Sequence, residues 1–269
     1  MKDIFNSDNK ISITSSKGNQ EKWFSNDRWY KLDQFGYEGL AEVVVSRMLE
    51  RSNIKQSTPF TFVSYRLENM FRHGIERVGC SSGNFLSQEQ RIITLAHLFK
   101  SNGISLSDTL MRLPSDKQRL RFLAEETSAL TGLKSFPEYL TLLIETDALF
   151  LNNDRHLNNI AVLRENNKYQ YCPIFDNGAA LLSNTMDYPM NIDPKAFIPT
   201  VKARPLNTTF NRQVKHMNDL YGKQLDICRF SKNDIREILE DLLPFYPQRD
   251  RGLIADRVIC TIMTRQRYR

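Results

Sequence analysis

Apolar and polar positions change their period twice along the 269 residues. The first eighty or so read as short strands around one helix. Ile11–Thr14 alternates weakly, and a small polar stretch follows at Ser15–Gln20. Glu21–Phe24 and Arg28–Leu32 carry aromatic residues on either side of Ser25-Asn26-Asp27. That turn chemistry between two such runs predicts a β-hairpin. Leu40, Val43, Val44, Met48 and Leu49 share one face of a helix over Gly39–Glu50. Thr58–Arg66 and Ile75–Cys80, rich in aromatic and β-branched residues or bounded by glycine, are predicted strands.

From Ser87 onward the period lengthens. Gln88–Lys100, Asp116–Leu130 and Pro137–Asn152 have helical spacing, with Pro137 suited to a first turn. Between Asn153 and Gly178 it shortens again, and Ile160–Leu163 and Tyr169–Phe175 read as strands joined by a polar turn at Glu165–Lys168. Ser183–Pro205 is loop-rich. Thr209–Tyr221, Ser231–Leu243 and Arg251–Arg267 are predicted helices, the second capped by Ser231 with Asp234 three residues on. The order is a small β-rich unit (1–82) followed by a larger, mainly helical one (83–269), with the boundary in Gly79–Ser87. This is an α+β, two-lobed organisation of the kind found in nucleotide kinases.

Composition narrows the class. Apolar residues at 41% and charged residues at 25% are ordinary globular usage, so a packed core is expected. The net charge of +6 favours an anionic ligand or acidic partner without being a nucleic-acid signature. Cys80, Cys172, Cys228 and Cys260 are too scattered for a zinc or redox pair, which fits reduced thiols in a cytoplasm. The N-terminus has no apolar signal region, and no apolar run approaches the roughly 20 residues of a membrane span. The expected location is cytoplasmic, or that of an effector exported without a signal peptide.

The strongest chemical signal is Asn153-Asp154-Arg155-His156-Leu157-Asn158-Asn159, followed by Ile174-Phe175-Asp176-Asn177-Gly178. Phosphoryl transfer requires a carboxylate beside the attacking hydroxyl, plus a second carboxylate and an amide oxygen to hold magnesium. Asp154 and Asn159 have the spacing of a kinase catalytic loop, and Asp176 opens a turn like the metal-binding one. Gly178 would supply the positive φ such a turn can need. The four histidines form no ligand-spaced group, so His156 is expected to hold its loop by a hydrogen bond. Arg155 could meet phosphate or an acidic neighbour. The C-terminal arginines, from Arg249 to Arg269, read as a solvated basic face.

These motifs resemble those of the HipA-like bacterial Ser/Thr kinases, CtkA-type members included. The resemblance extends over about 11–180. Gly18-Asn19-Gln20-Glu21-Lys22 is similar to the family's G-x-Q-x-K stretch, Trp29–Leu32 to its lysine-bearing strand, and Tyr37–Glu42 to the helix that follows. It implies an ATP- and magnesium-dependent protein kinase. Asp154 would act on the acceptor hydroxyl, and Asn159 and Asp176 would hold the metal. Lys31 would steady the phosphates, positioned by Glu42 or by Glu38 one turn earlier. Ser15–Lys22 would cover the phosphates with one glycine, Gly18, where protein-kinase loops have three. Ser15, Ser16, Gln20 and Lys22 are then candidate contacts. The resemblance also implies autophosphorylation, with Ser12, Thr14, Ser15, Ser16, Ser81 and Ser82 as candidate acceptors, and an antitoxin or DNA-binding partner. The residues themselves leave two alternatives open: a lipid or small-molecule kinase of the same fold, and a nucleotide-binding regulator contacting nucleic acid.

Overall fold

Asn26 and Asp27 both take positive φ, 49° and 56°, the twist that suits a two-residue hairpin. In the computed structural model, which describes residues 21–72 and 74–268, they join β1 (Lys22–Ser25) to β2 (Arg28–Leu32). The expected strand at Ile11–Thr14 and the candidates Ser12, Ser15, Ser16, Gly18 and Gln20 lie outside the described residues. Helix α1 (Glu38–Leu49) follows and is buried on all sides except at Arg47. Arg47 reaches out instead, donating to both carboxylate oxygens of Asp241. The single apolar face of the sequence is therefore only part of what α1 buries.

A short helix, α2 (Ile54–Ser57), leads into β3 (Tyr65–Arg72) and β4 (Ile75–Gly83). The four strands form one antiparallel sheet in the order β1-β2-β4-β3. The strand expected at Thr58–Arg66 begins only at Tyr65. Residues 58–64 instead run extended to the other part of the molecule, where Val63 N–H donates to Ile174 O and Ile174 N–H to Thr61 O. Phe60 packs edge-on against Tyr139 and Tyr171, so its burial serves the interface and not a sheet face.

The expected helix at Gln88–Lys100 divides into β5 (Arg91–Thr94) and α3 (Leu95–Ser101). Arg91–Thr94 is drawn into a second antiparallel sheet by β6 (Ala161–Glu165), which also pairs with β7 (Lys168–Tyr171). Ile92, Ile93 and Thr94 are β-branched, and non-local pairing overrides the helical spacing. Thr94 then caps α3, accepting from His97 N–H. Three more helices precede that sheet's hairpin: α4 (Leu106–Arg112), α5 (Asp116–Thr131) and α6 (Phe136–Phe150). The chain finishes with α7 (Pro194–Phe197), α8 (Phe210–Tyr221), α9 (Lys232–Leu239) and α10 (Gln248–Arg265). Ser231 and Asp234 form a reciprocal capping box at α9.

One core joins the two parts, running from Val44 on α1 through Phe99 and Leu140 to Val258 and Ile262 on α10. The C-terminal arginines are not a uniform basic face. Arg257 and Arg265 are 1% and 7% exposed. Arg257 donates to the carbonyls of Tyr188 and Pro189, tying α10 to the loop after the second motif. No described helix is long and apolar enough to cross a membrane.

Candidate active site

Lys31 is the fourth residue of β2, opposite Cys80 of β4, and is 9% exposed. Its Nζ lies 2.6 Å from Glu42 Oε1 and 2.6 Å from Asp176 Oδ1. Glu38 does other work. Its carboxylate accepts the N–H groups of Gln34, Phe35 and Gly36 at 3.3, 2.8 and 3.1 Å, holding the turn that opens α1. Asp33 Oδ1 accepts Gly39 N–H at 2.6 Å, fixing the same turn from the sheet side. Glu42 is thereby delivered to Lys31, and its second oxygen accepts Asn177 N–H at 2.8 Å. One buried carboxylate thus spans the lysine and the turn after Asp176.

Electrostatics keep Lys31 and Asp176 ionised. Burial opposes the Asp176 charge, but Lys31 and then Lys22, 3.6 Å away, outweigh it and hold the carboxyl well below the usual carboxylate range. Burial likewise opposes the Lys31 charge, and Asp176 and Glu42 hold the ammonium well above its ordinary value. Asp176 itself adopts φ 60°, whereas Gly178 has no positive φ. The glycine expectation is thus corrected. The left-handed residue is the aspartate, and a Cβ on Gly178 would meet nothing nearer than 3.5 Å.

The segment of the first motif, 153–159, leaves α6 through Leu151 at φ 58°. Arg155 then turns inward, fully buried, and acts as a hub. Its Nε donates to Asp147 Oδ2 at 2.9 Å and its Nη2 to Asn177 Oδ1 at 2.8 Å. Its Nη1 donates to the carbonyls of Asn159 and Phe175 at 3.1 and 2.6 Å. One guanidinium therefore fixes 155–159 against 175–177. It is unavailable to any phosphate, which settles the choice left open by the sequence in favour of the acidic neighbour.

Asp154 is left outside this knot with its side chain 54% exposed. Partial burial raises its carboxyl; His156 opposes this, and the Asp176 charge adds to it. His156 Nδ1 accepts Asn158 N–H at 3.2 Å, a hydrogen bond within its own loop. Asn159, 3% exposed, donates Nδ2 to Asp154 O at 2.9 Å. That contact turns the amide so that Oδ1 is its free acceptor. Magnesium prefers oxygen ligands and usually takes only one or two from protein, the rest coming from water and phosphate. Asn159 and Asp176 fit such a site, and among the described residues no cluster of three or more His, Cys, Asp or Glu offers a rival.

Between the two sheets runs a cleft of ≈ 380 Å³, walled by Trp29, Tyr65, Phe85, Leu86, Ile92 and Phe175, with Lys22, Lys31 and Asp176 at its polar end. An apolar slot with a few convergent charged groups is the usual form of a ligand site. Ser81 and Ser82 do not lie in a loop. Both are in β4, 1% and 4% exposed, and Ser81 Oγ donates to Glu68 while accepting from Arg28. Phosphorylating Ser81 would break both contacts, whereas Ser82 lines the cleft.

Comparison with solved structures decides the fold. The Helicobacter pylori proinflammatory kinase CtkA matches with a TM-score of 0.59 and 16% identity over 96% of this chain and 95% of its own. The fold is that of the HipA-like kinases. A chain of the Shewanella oneidensis MR-1 toxin–antitoxin complex of HipA, HipB and operator DNA matches with a TM-score of 0.50 and 14% identity, over 99% of this chain and 67% of that one. No protein-family model matches the sequence, and no curated protein does.

Within this HipA-like fold, sequence reasoning missed Asp147, Asn152 and Asn177. Asn152 Nδ2 donates to Asp147 Oδ1 at 2.9 Å, and all three polar groups bear on Arg155 or its partner. The available signal was Asp147 itself, a carboxylate inside the most apolar helix of the chain and one that burial demands be paired. It also missed Tyr188, whose hydroxyl accepts Asn153 Nδ2 at 2.7 Å beside Asp154.

Proposed function

We propose that the protein is an ATP- and magnesium-dependent protein Ser/Thr kinase of HipA-like type. The observation that carries this reading is the convergence of Lys31, Glu42 and Asp176 at the polar end of the cleft. These residues are separated by up to 145 positions in the chain. Lys31 binds the nucleotide phosphates, and Glu42 holds its ammonium in place. Asn159 and Asp176 hold magnesium, which when bound neutralises phosphate charge. Asp154, exposed and near enough to feel the Asp176 charge, orients the acceptor hydroxyl and takes its proton, and a raised carboxyl suits that task. Trp29, Phe85 and Phe175 enclose the base. The division at 82/83 into a nucleotide-binding and a catalytic lobe belongs to this reading, as do the phosphate contacts of Ser15, Ser16, Gly18, Gln20 and Lys22 and self-phosphorylation within the first twenty residues. The HipA complex includes HipB and DNA, and a DNA-binding antitoxin is proposed here as the corresponding partner.

The acceptor class is tested by offering a mixed protein pool, a phosphoinositide and a small alcohol to the enzyme with ATP and magnesium. Phosphoserine or phosphothreonine in the protein pool is expected. Label confined to the lipid or the alcohol would overturn the protein-kinase assignment while leaving the phosphotransferase in place.

A further inference from the structure

A second site lies in the helical part and shares no lining residue with the cleft. Arg265, in the last turn of α10, is 7% exposed, and among the described residues no carboxylate pairs with it. Its Nε donates to Ala148 O at 2.6 Å and its Nη2 to Asn211 Oδ1 at 2.9 Å, both neutral acceptors. The rings of Phe210 and Tyr268 stand 5.4 and 5.2 Å from the guanidinium. Nη1 has no hydrogen-bond partner among the described residues. A buried cation without a counter-charge is costly, and burial brings Arg265 down to about 10. Of the other buried arginines, Arg155 has Asp147 as its counter-charge, and Arg257 spends both Nη1 and Nη2 on the carbonyls of Tyr188 and Pro189, so Arg265 alone of the three leaves a terminal nitrogen without a partner among the described residues.

Two cavities of ≈ 330 and ≈ 410 Å³ meet at Arg265, and both are lined by Asn211 and Tyr268 as well. The first has apolar walls from Ala148, Leu149, Val214 and Leu225, and Lys215 and Lys223 at its edge. It also holds two acids, both already engaged, and the Glu145 carboxylate faces Lys223 as well. Glu145 accepts the N–H groups of Gln224 and Leu225, and Asp219 lies 3.8 Å from Lys117. Capping the end of α6 accounts for the bond from Nε to Ala148 O, since the last carbonyls of a helix lack partners. It does not account for the idle Nη1, for Lys215 at the edge or for the cavity beside them.

We propose that this cavity binds a small organic anion, with a carboxylate or phosphate on Arg265 and an apolar body against Leu149, Val214 and Leu225. The walls exclude a bare inorganic ion as the preferred ligand, because such an ion would leave the apolar surface wet. The guanidinium excludes a neutral hydrocarbon, which would bury the charge further without a partner.

The test is calorimetric titration of the full chain with phenyl phosphate and benzoate, beside phenol and inorganic phosphate. At least one of the two aromatic anions is expected to bind saturably, about tenfold or more tighter than phenol or inorganic phosphate. Arg265→Met should abolish that binding and melt at the same temperature as the wild type or higher, since it removes an unpaired buried charge. The exposed double change Lys215→Ala/Lys223→Ala, which leaves the core untouched, should weaken binding about tenfold. Absence of saturable binding by either anion, or unchanged affinity in the lysine variant, would overturn the proposal. A lower melting temperature with unchanged binding in Arg265→Met would assign the residue to capping α6 alone.

Discussion

Arg155 Nε donates to Asp147 Oδ2 at 2.9 Å with the two side chains 0% and 4% exposed, beneath the loop that carries Asp154. A pair sealed this well is costly to break from one side. Arg155→Met leaves Asp147 buried and unpaired and should lower stability by about 3–5 kcal/mol in urea unfolding. The double change Arg155→Met/Asp147→Leu should recover most of that loss. It should not recover phosphoryl transfer, because the carbonyls of Asn159 and Phe175 still lack their common donor.

Glu42 and Glu38 are one helical turn apart and do different work. Glu42→Gln removes the charge that holds Lys31 and should reduce turnover by about 10²-fold through misplacement of the ammonium. Glu38→Gln should leave turnover within a few-fold and cost about 1–2 kcal/mol of stability through the turn at Gln34–Gly36. Steady-state rates and denaturation midpoints on the two variants separate these roles.

The glycines should rank against their motif positions. A Cβ on Gly36 would stand 2.0 Å from Ser183 O, where 35–37 is strapped to 183–185. Gly36→Ala should therefore cost about 1–3 kcal/mol. Gly178→Ala, in the motif itself, finds 3.5 Å of room and should unfold within about 0.5 kcal/mol of the wild type.

Asp33 gives the protein a pH dependence of known sign. Burial and the neighbouring Glu38 push its carboxyl up to about 8, against hydrogen bonds from Tyr246 and Gly39. The unfolded carboxyl titrates near ~4, so between those values the folded state binds more protons and stability falls as pH rises. Asp176 acts oppositely: its contribution is present above ~4 and is lost as pH falls through its depressed folded value. Asp33→Asn should flatten the decline between pH 5 and 8, read as urea midpoints at each pH.

The sequence exposed those parts of the site that depend on residue type at short spacing. Asp154, Asn159 and Asp176 stand in motifs, and the hairpin of β1 and β2 is announced by Asn26-Asp27. Lys31 and Glu42 were found through resemblance and then chosen over Glu38 only by geometry. What local pattern could not supply was non-local. Residues 58–64 look like a strand until Ile174 claims their backbone, and Arg91–Thr94 looks helical until β6 pairs with it. Arg155 was ambiguous because its partner, Asp147, lies on the preceding helix and reveals itself only when both are buried.

The most direct measurement is transfer of label from γ-labelled ATP with magnesium, comparing wild type, Asp154→Ala and Asp176→Ala, with the labelled residues mapped by mass spectrometry. Label on serine or threonine in the wild type and its loss by about 10²-fold or more in both variants is the predicted result. Equal labelling in the variants, or a wild type that neither binds nor turns over ATP, would contradict the account.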